Sequence, residues 1–538
     1  MGIVERRDPD PGRPGSLDLE RRSALGRVTS RILSDGSLTK KASLNAAASL
    51  VDQVARTLAT LILNPILVSR LGDSVFGTWK VLQNLIGQVS PASGRPGEAL
   101  KWTVAHDQAS SDFDRKRQQV GNAVAVWLLF LPLLVGVGGA LAWFAPGWLD
   151  APAGSTSSVR LAAVLLVLSL ALAGLAYLPQ SVLQGENLGY KRLGLSTTLV
   201  FVAKGLILLA VLLGAGIVGM AGAVVTTTVL SGALYLYITR SQVPWFGIAR
   251  PSPAAVWGFA RLSGWFLLWN LIMQVMRAGD IVVLGIAASP ALVTTYALAR
   301  FAPQTITVGV SMAILSVMPG LGGLIGAGRL GRAMRVRTEA MSLVWLVTTV
   351  AGATVLIWQE AFLGLWVGRR YYPGATAMLA IMLMVLQFAL IRTDSNIIDL
   401  TLDLRRKVLL GAISAALSVV FAWVFLSSFE MGITGLALGF ILGRVILSVG
   451  YPLMIGRILG IPVRRQVRGA IRPALTTAAL FAGAWGSGAL LHAASWITLI
   501  PGVALTTLVI AGLAMFGGLS SEPRRVAWRR LRKVVRLR

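Results

Sequence analysis

Apolar runs long enough to cross a bilayer recur from residue 44 to residue 517, separated by short loops that hold most of the charge. About twenty apolar residues in a helix span a hydrocarbon core. The pattern therefore predicts an all-α, polytopic membrane protein. We expect about fourteen transmembrane helices, at 44–69, 74–104, 120–143, 159–184, 194–214, 218–239, 255–286, 291–318, 338–360, 374–402, 408–428, 432–454, 471–491 and 496–517. Several exceed twenty residues, which tilt or kinks accommodate. The stretch "SPASGRPG" at 90–97 should break or bend the second span.

A weak repeat lies within this pattern. "GIVGMAG" at 216–222 matches "GITGLAL" at 432–438, and the same offset places Lys191 on Lys407. Two pseudo-symmetric six-helix lobes plus two extra helices fit this, a common plan for transporters with a central site. The expected organisation is a disordered tail at 1–41, a first lobe at 42–240, a linker at 241–254 and a second lobe at 255–455. A linker with the last two spans follows at 456–517, then a basic tail at 518–538 that can form an amphipathic helix on an anionic leaflet.

Polar residues within the spans fall on stripes. In the first span Asn45, Ser49, Asp52, Arg56, Thr60 and Asn64 step by three or four, which puts them on one helix face. Asp52 and Arg56 are placed to pair at i,i+4. Lys80, Asn84 and Gln88 form a stripe on the second span. Ser263, Asn270, Gln274 and Arg277, with Asp280 one turn on, share a face of the seventh, and Arg300, Gln304, Thr307 and Ser311 one of the eighth. Four such faces avoid lipid by turning toward a shared cavity or by pairing among themselves. In the tenth span Arg392, Asn396, Asp399 and Asp403 share a face, with Asp394 close by. At 1.5 Å per residue, Arg392 lies about 25 Å from the start of that span, inside the expected inner leaflet. Charges at such depths are costly and mark functional positions by default. Lys204 stands alone on the fifth span, where a snorkelling lysine is an equal reading.

Composition narrows the classes. The chain has 538 residues, 55% hydrophobic and 13% charged, with a net charge of +28. Cysteine is absent and the two histidines, His106 and His492, are far apart, which leaves no basis for a thiolate or histidine metal site. No cofactor is expected, nor a nucleic-acid partner, because the basic residues sit in loops between apolar runs. Those loops set orientation. Lys40, Lys41, Arg115, Lys116, Arg117, Arg329, Arg332, Arg335, Arg337, Lys407, Arg464, Arg465 and Arg468 fall on one side, against Arg70, Arg160, Arg369 and Arg370 on the other. The bias predicts both termini in the cytoplasm. No phosphate-binding loop of the ATPase type and no long soluble segment occur, so the chain is not expected to be an enzyme. At depth Arg56, Lys80, Arg277, Arg300 and Arg392 outnumber Asp52, Asp280 and Asp394. Surplus arginine suits an anionic cargo, phosphate or pyrophosphate above all. The three aspartates are the candidates for coupling to an ion.

Further stretches carry a family likeness: "LVSRLGDSVFGTW" at 67–79, "YLPQSVLQGENLGYKR" at 177–192, "TTYALARFAPQT" at 294–305 and the two Gly-Ile-x-Gly turns. In order, these resemble the multidrug/oligosaccharidyl-lipid/polysaccharide exporter superfamily, and within it the polysaccharide transporter branch of Wzx-type flippases. The resemblance implies two six-helix lobes around a V-shaped cavity. It also implies outward movement of an undecaprenyl-pyrophosphate-linked oligosaccharide across the bacterial cytoplasmic membrane. Membrane lipids, a polysaccharide polymerase and glycosyltransferases would be partners. The same architecture serves cation-coupled multidrug exporters, and fourteen helices also fit lipid II flippases; both are alternatives.

Overall fold

The computed structural model describes residues 38–94, 96–107, 110–149, 155–186, 188, 195–326, 328–399, 404–487, 491, 493–520 and 524. The tail at 1–37, most of the basic tail after 520, Lys191 and Asp403 lie outside them, as do the side chains of Asn45, Ser49, Ser263 and Asn270. Every regular element among the described residues is helical. Among the described residues ten helices are long and apolar enough to cross a membrane; the expected count of fourteen goes beyond these ten.

The first half runs α1 (Leu38–Leu71), α2 (Asp73–Val89), α3 (Pro96–His106), α4 (Phe113–Trp148), α5 (Thr156–Ala176), α6 (Leu178–Gly185), α7 (Leu195–Leu212) and α8 (Gly216–Gln242). The second runs α9 (Pro253–Ala287), α10 (Pro290–Ala299), α11 (Phe301–Gly326), α12 (Leu330–Trp366), α13 (Ala375–Asp399), α14 (Leu404–Ser427), α15 (Gly432–Gly443) and α16 (Val445–Leu459). Then come α17 (Val463–Ser487) and α18 (Trp496–Gly518). The expected break after α2 occurs as a 3-10 turn at Ser90–Ser93, closed by Gly94 at φ +67°. A Cβ on Gly94 would lie 2.6 Å from the Phe130 ring, so both the backbone and the packing there require glycine.

The sequence repeat has a structural counterpart. Gly216 and Gly432 open α8 and α15 with φ of +55° and +54°. Two residues earlier Gly214 has φ +74°, and its equivalent Glu430 has φ +50°. Gly219 and Gly435 both donate their amides to the residue four back, Ala215 and Met431.

The halves meet chiefly where α2 lies on α9 and α10. A Cβ on Gly77 would fall 1.7 Å from the Pro290 carbonyl oxygen, so the two backbones touch there. The α17–α18 pair docks on α12, with Trp345 donating to Thr477 at 2.8 Å and Trp358 to Thr506 at 2.9 Å. Tryptophan N–H groups buried in a bilayer need such partners.

Candidate functional site

The polar stripes have two kinds of structure. Some of their charges are locked into pairs, and others are left without an acid.

Asp52 belongs to the first kind, though not with the expected partner. Ser196 and Thr197, on the first turn of α7, donate to its two oxygens at 2.6 and 2.5 Å. Those hydroxyls take the carboxylate, and no Asp52–Arg56 ion pair forms. Asp280 of α9 is buried and takes Arg300 at 2.7 Å and the Tyr296 hydroxyl at 2.7 Å. Arg300 also donates to the Arg277 carbonyl at 2.7 Å. Arg300, counted above among the surplus cations, is thus held by an acid. Asp394 of α13 accepts a two-pronged contact from Arg337, Nε at 2.9 Å and an Nη at 2.8 Å. Helix α12 begins at Leu330 and carries Arg337 into the interior, where the sequence pattern put it in a cytoplasmic loop. Lys116 and Lys407, also assigned to loops, are buried against Glu186 and Asp399. Ion pairs of this kind form because an isolated buried charge costs several kcal/mol.

The second kind clusters in the first half. Arg56 of α1 is exposed and Lys80 of α2 half-buried, its ammonium 5.0 Å from the Phe76 ring centre. Lys204 of α7 lies near enough for its charge to act on both Arg56 and Lys80. None of the three makes an ion pair among the described residues. Lys204, alone in sequence, is therefore the third member of a cationic group on three helices. Gln88, two turns along the Lys80 stripe, has both amide atoms buried without a hydrogen-bond partner among the described residues. An orphaned buried amide typically costs about 1–3 kcal/mol, which suits a position that meets a polar ligand or water.

Across the junction, Arg277 is exposed and donates to the Gln274 amide oxygen at 3.3 Å. The Gln274 amide nitrogen would lie 3.2 Å from a Cβ on Gly87, seven residues and two turns on from Lys80. The stripes of α2 and α9 thus face each other. Arg392 is half-buried and sits 3.4 Å from the Met273 sulfur, one turn before Arg277 on α9. One residue of this region was not singled out from sequence. Arg444 is buried between the rings of Phe388 and Phe440, 4.9 and 5.1 Å away, and donates to the Met276 carbonyl at 2.6 Å. Its signal was a lone arginine inside the apolar run at 432–454.

At the far end of α1 and α2 a second contact joins the halves. Asp73 accepts from the Tyr371 hydroxyl and, at 3.4 Å, from Arg370, while Thr294 donates to the Asp73 carbonyl at 2.5 Å. Trp366 donates to the Leu61 carbonyl at 2.7 Å. Beside this latch is a cavity of about 420 Å³ lined by Pro65, Ser69, Trp366, Arg370 and Tyr371. Burial raises the pKa of the Tyr371 phenol, and its bond to the Asp73 carboxylate pushes the same way.

No protein-family model matches the chain, and no curated protein matches it in sequence. Solved structures do match in shape. An inward-facing multidrug-resistance MATE transporter of the MOP superfamily aligns with a TM-score of 0.64 at 15% identity, over 77% of this chain and 98% of its own. The lipid II flippase MurJ, in an inward closed conformation, aligns at 0.65 and 11%, over 88% and 97%. An outward-facing MATE transporter aligns at 0.55 and 15%, over 78% and 96%. At these identities the likeness shows a shared fold: the chain has the helix arrangement of these membrane transporters.

Proposed function

We propose that the protein is a flippase that carries an undecaprenyl-pyrophosphate-linked oligosaccharide outward across the bacterial cytoplasmic membrane, for surface polysaccharide synthesis. The observation that carries this reading is the imbalance of charge. Asp280 and Asp394 are each taken by an arginine and Asp52 by two hydroxyls, while among the described residues Arg56, Lys80 and Lys204 keep no acid within ion-pair reach. A site of that kind repels organic cations and attracts a pyrophosphate, which guanidinium groups grip bidentately. Arg277 and Arg392 extend the positive face into the second half.

Outward movement of an anion from a cell that is negative inside releases about 2.3 kcal/mol per charge per 100 mV. The membrane potential can then drive flipping without a coupling ion, provided that the empty carrier returns no equal negative charge. The test uses vesicles holding the purified chain and lipid-linked sugar. A potential is imposed with potassium and valinomycin, without a sodium or proton gradient, and sugar exposure is measured. Exposure should follow the potential. Exposure that ignores the potential and follows a cation gradient overturns the electrophoretic scheme. The rival reading is a cation-coupled multidrug exporter. Its support is Asp52, which, unlike Asp280 and Asp394, has no arginine partner among the described residues. Uptake of a cationic dye into the same vesicles, with no sugar exposure, would establish it.

A further inference from the structure

The first turns of α12 and α17 carry arginines that the transport reading does not use. The helices run parallel. Trp345 meets Thr477, and seven residues further along α12 a Cβ on Gly352 would lie 2.9 Å from the Phe481 ring. Their starts therefore lie at the same end. Arg335 and Arg468 are ten and nine residues back from the Trp345–Thr477 contact, about 15 and 14 Å at 1.5 Å per residue. Arg332 and Arg465 follow one turn lower. All four are exposed, as are Arg329 and Arg464, and none makes an ion pair among the described residues.

Acids are scarce on these turns. In 330–340 and 463–473 the single carboxylate is Glu339, and no aspartate or glutamate occurs between Glu430 and Glu522. The platform is also fixed in place. Gln466 donates to the Pro452 carbonyl at 3.1 Å, tying the start of α17 to α16, and Arg472 caps the end of α18 through the Phe516 and Gly517 carbonyls at 2.7 and 2.6 Å.

Beside the guanidinium groups runs an apolar stripe. Val463, Val467, Ile471 and Leu475 step by four and are 51%, 57%, 52% and 67% exposed. The lower part of that stripe lies level with the arginines, and the upper part continues into the apolar half of α17. A surface with charge at one height and grease running away from it matches a lipid, whose phosphate and acyl chain are stacked in the same order. An acidic protein would meet the arginines but leave the stripe uncovered.

We propose that this basic end of α12 and α17 is a binding surface for anionic phospholipid of the membrane in which the chain sits. Headgroup phosphates meet Arg332, Arg335, Arg464, Arg465 and Arg468, and acyl chains lie along Val467, Ile471 and Leu475. This stands whatever the cargo is. A basic residue near an anionic surface contributes about fivefold in affinity, so three of them contribute about a hundredfold.

The purified full chain, in neutral detergent, is titrated with phosphatidylglycerol and with phosphatidylcholine, and the thermal midpoint and lipid retention by native mass spectrometry are read. Phosphatidylglycerol should bind tightly and raise the midpoint, less so at high salt, and phosphatidylcholine should do neither. The triple variant Arg464→Gln/Arg465→Gln/Arg468→Gln should keep the midpoint seen without lipid and lose phosphatidylglycerol binding by about two orders of magnitude. The variant Val467→Ser/Leu475→Ser should weaken retention without changing its salt dependence. Inorganic phosphate should not substitute, because it has no chain to lay on the stripe. Equal stabilisation by both lipids, or phosphatidylglycerol binding that survives in the triple variant, overturns the proposal. So does salt-sensitive capture of polyglutamate by the wild-type chain without a lipid effect, which would mark the surface as one for an acidic protein.

Discussion

At the scale of single residues, the structure sorts charges that look alike in the sequence. Arg56 and Arg300 both stand on polar stripes, yet Arg300 is committed to Asp280 and Arg56, among the described residues, to no acid. If Arg56, Lys80 and Lys204 hold the cargo's phosphates, replacing any one by alanine should slow flipping by tenfold to a hundredfold, from a charge-assisted bond worth about 1.5–3 kcal/mol. Arg56→Lys should restore part of it, because the charge survives and the fork does not. The measurement is sugar exposure in vesicles with equal amounts of inserted protein, and undiminished exposure in the alanine variants would sink the assignment. Asp394→Ala is a different case. It strands Arg337 in the interior and should cost about 3–5 kcal/mol of stability. The double change Asp394→Leu/Arg337→Met should recover most of it, as read by the thermal midpoint. Equal loss in single and double variants would show that the pair does more than cancel charge.

At the scale of elements, two features call for experiments. Glu430 stands in the left-handed region where its repeat partner is Gly214. Glu430→Gly should therefore stabilise the turn into α15, by up to about 1 kcal/mol. No change in midpoint would mean that the Glu430 side chain offsets its own strain. The second feature is the latch of α2 on the loop after α12. Because cysteine is absent, Asp73→Cys and Tyr371→Cys can be paired and bridged with a short bifunctional thiol reagent that a reductant cleaves. Bridging should stop transport and reduction restore it, while transport that continues when bridged shows that this end need not open. The raised Tyr371 pKa sets the pH dependence. The phenol stays neutral through its ordinary value near 10, so the donor bond to Asp73 should persist there and fail only at higher pH.

At the scale of the whole molecule, the remaining question is which end faces which compartment. From the loop bias we propose that 329–337 faces inside and Ser155 outside. Gly331→Cys should resist an impermeant thiol reagent applied to intact cells, and Ser155→Cys should react. The reverse pattern would invert the assignment, and with it the direction of transport. The correction at Lys116, Arg337 and Lys407 does not alter the bias, because the exposed arginines at 329, 332, 335, 464, 465 and 468 remain on the same side.

Hydropathy alone settled the all-α membrane fold class. Hydrophobic runs of bilayer length have few alternatives to helices, since an unpaired peptide group in lipid costs several kcal/mol. Periodicity of three and four also placed the polar faces, and an offset of 216 residues foretold the paired turns at Gly216 and Gly432. Partners were another matter. Whether Asp52 met Arg56 four residues on or Ser196 and Thr197 some 144 residues away was decided by how α7 packs on α1. Arg337 met Asp394 because α12 begins earlier than its charges suggested, and Lys204 gained Arg56 and Lys80 only when three helices converged. Burial and charge pairing depend on distances between segments remote in the chain. Those distances belong to the tertiary structure, because a helix's own period fixes which face a residue occupies but not what that face meets.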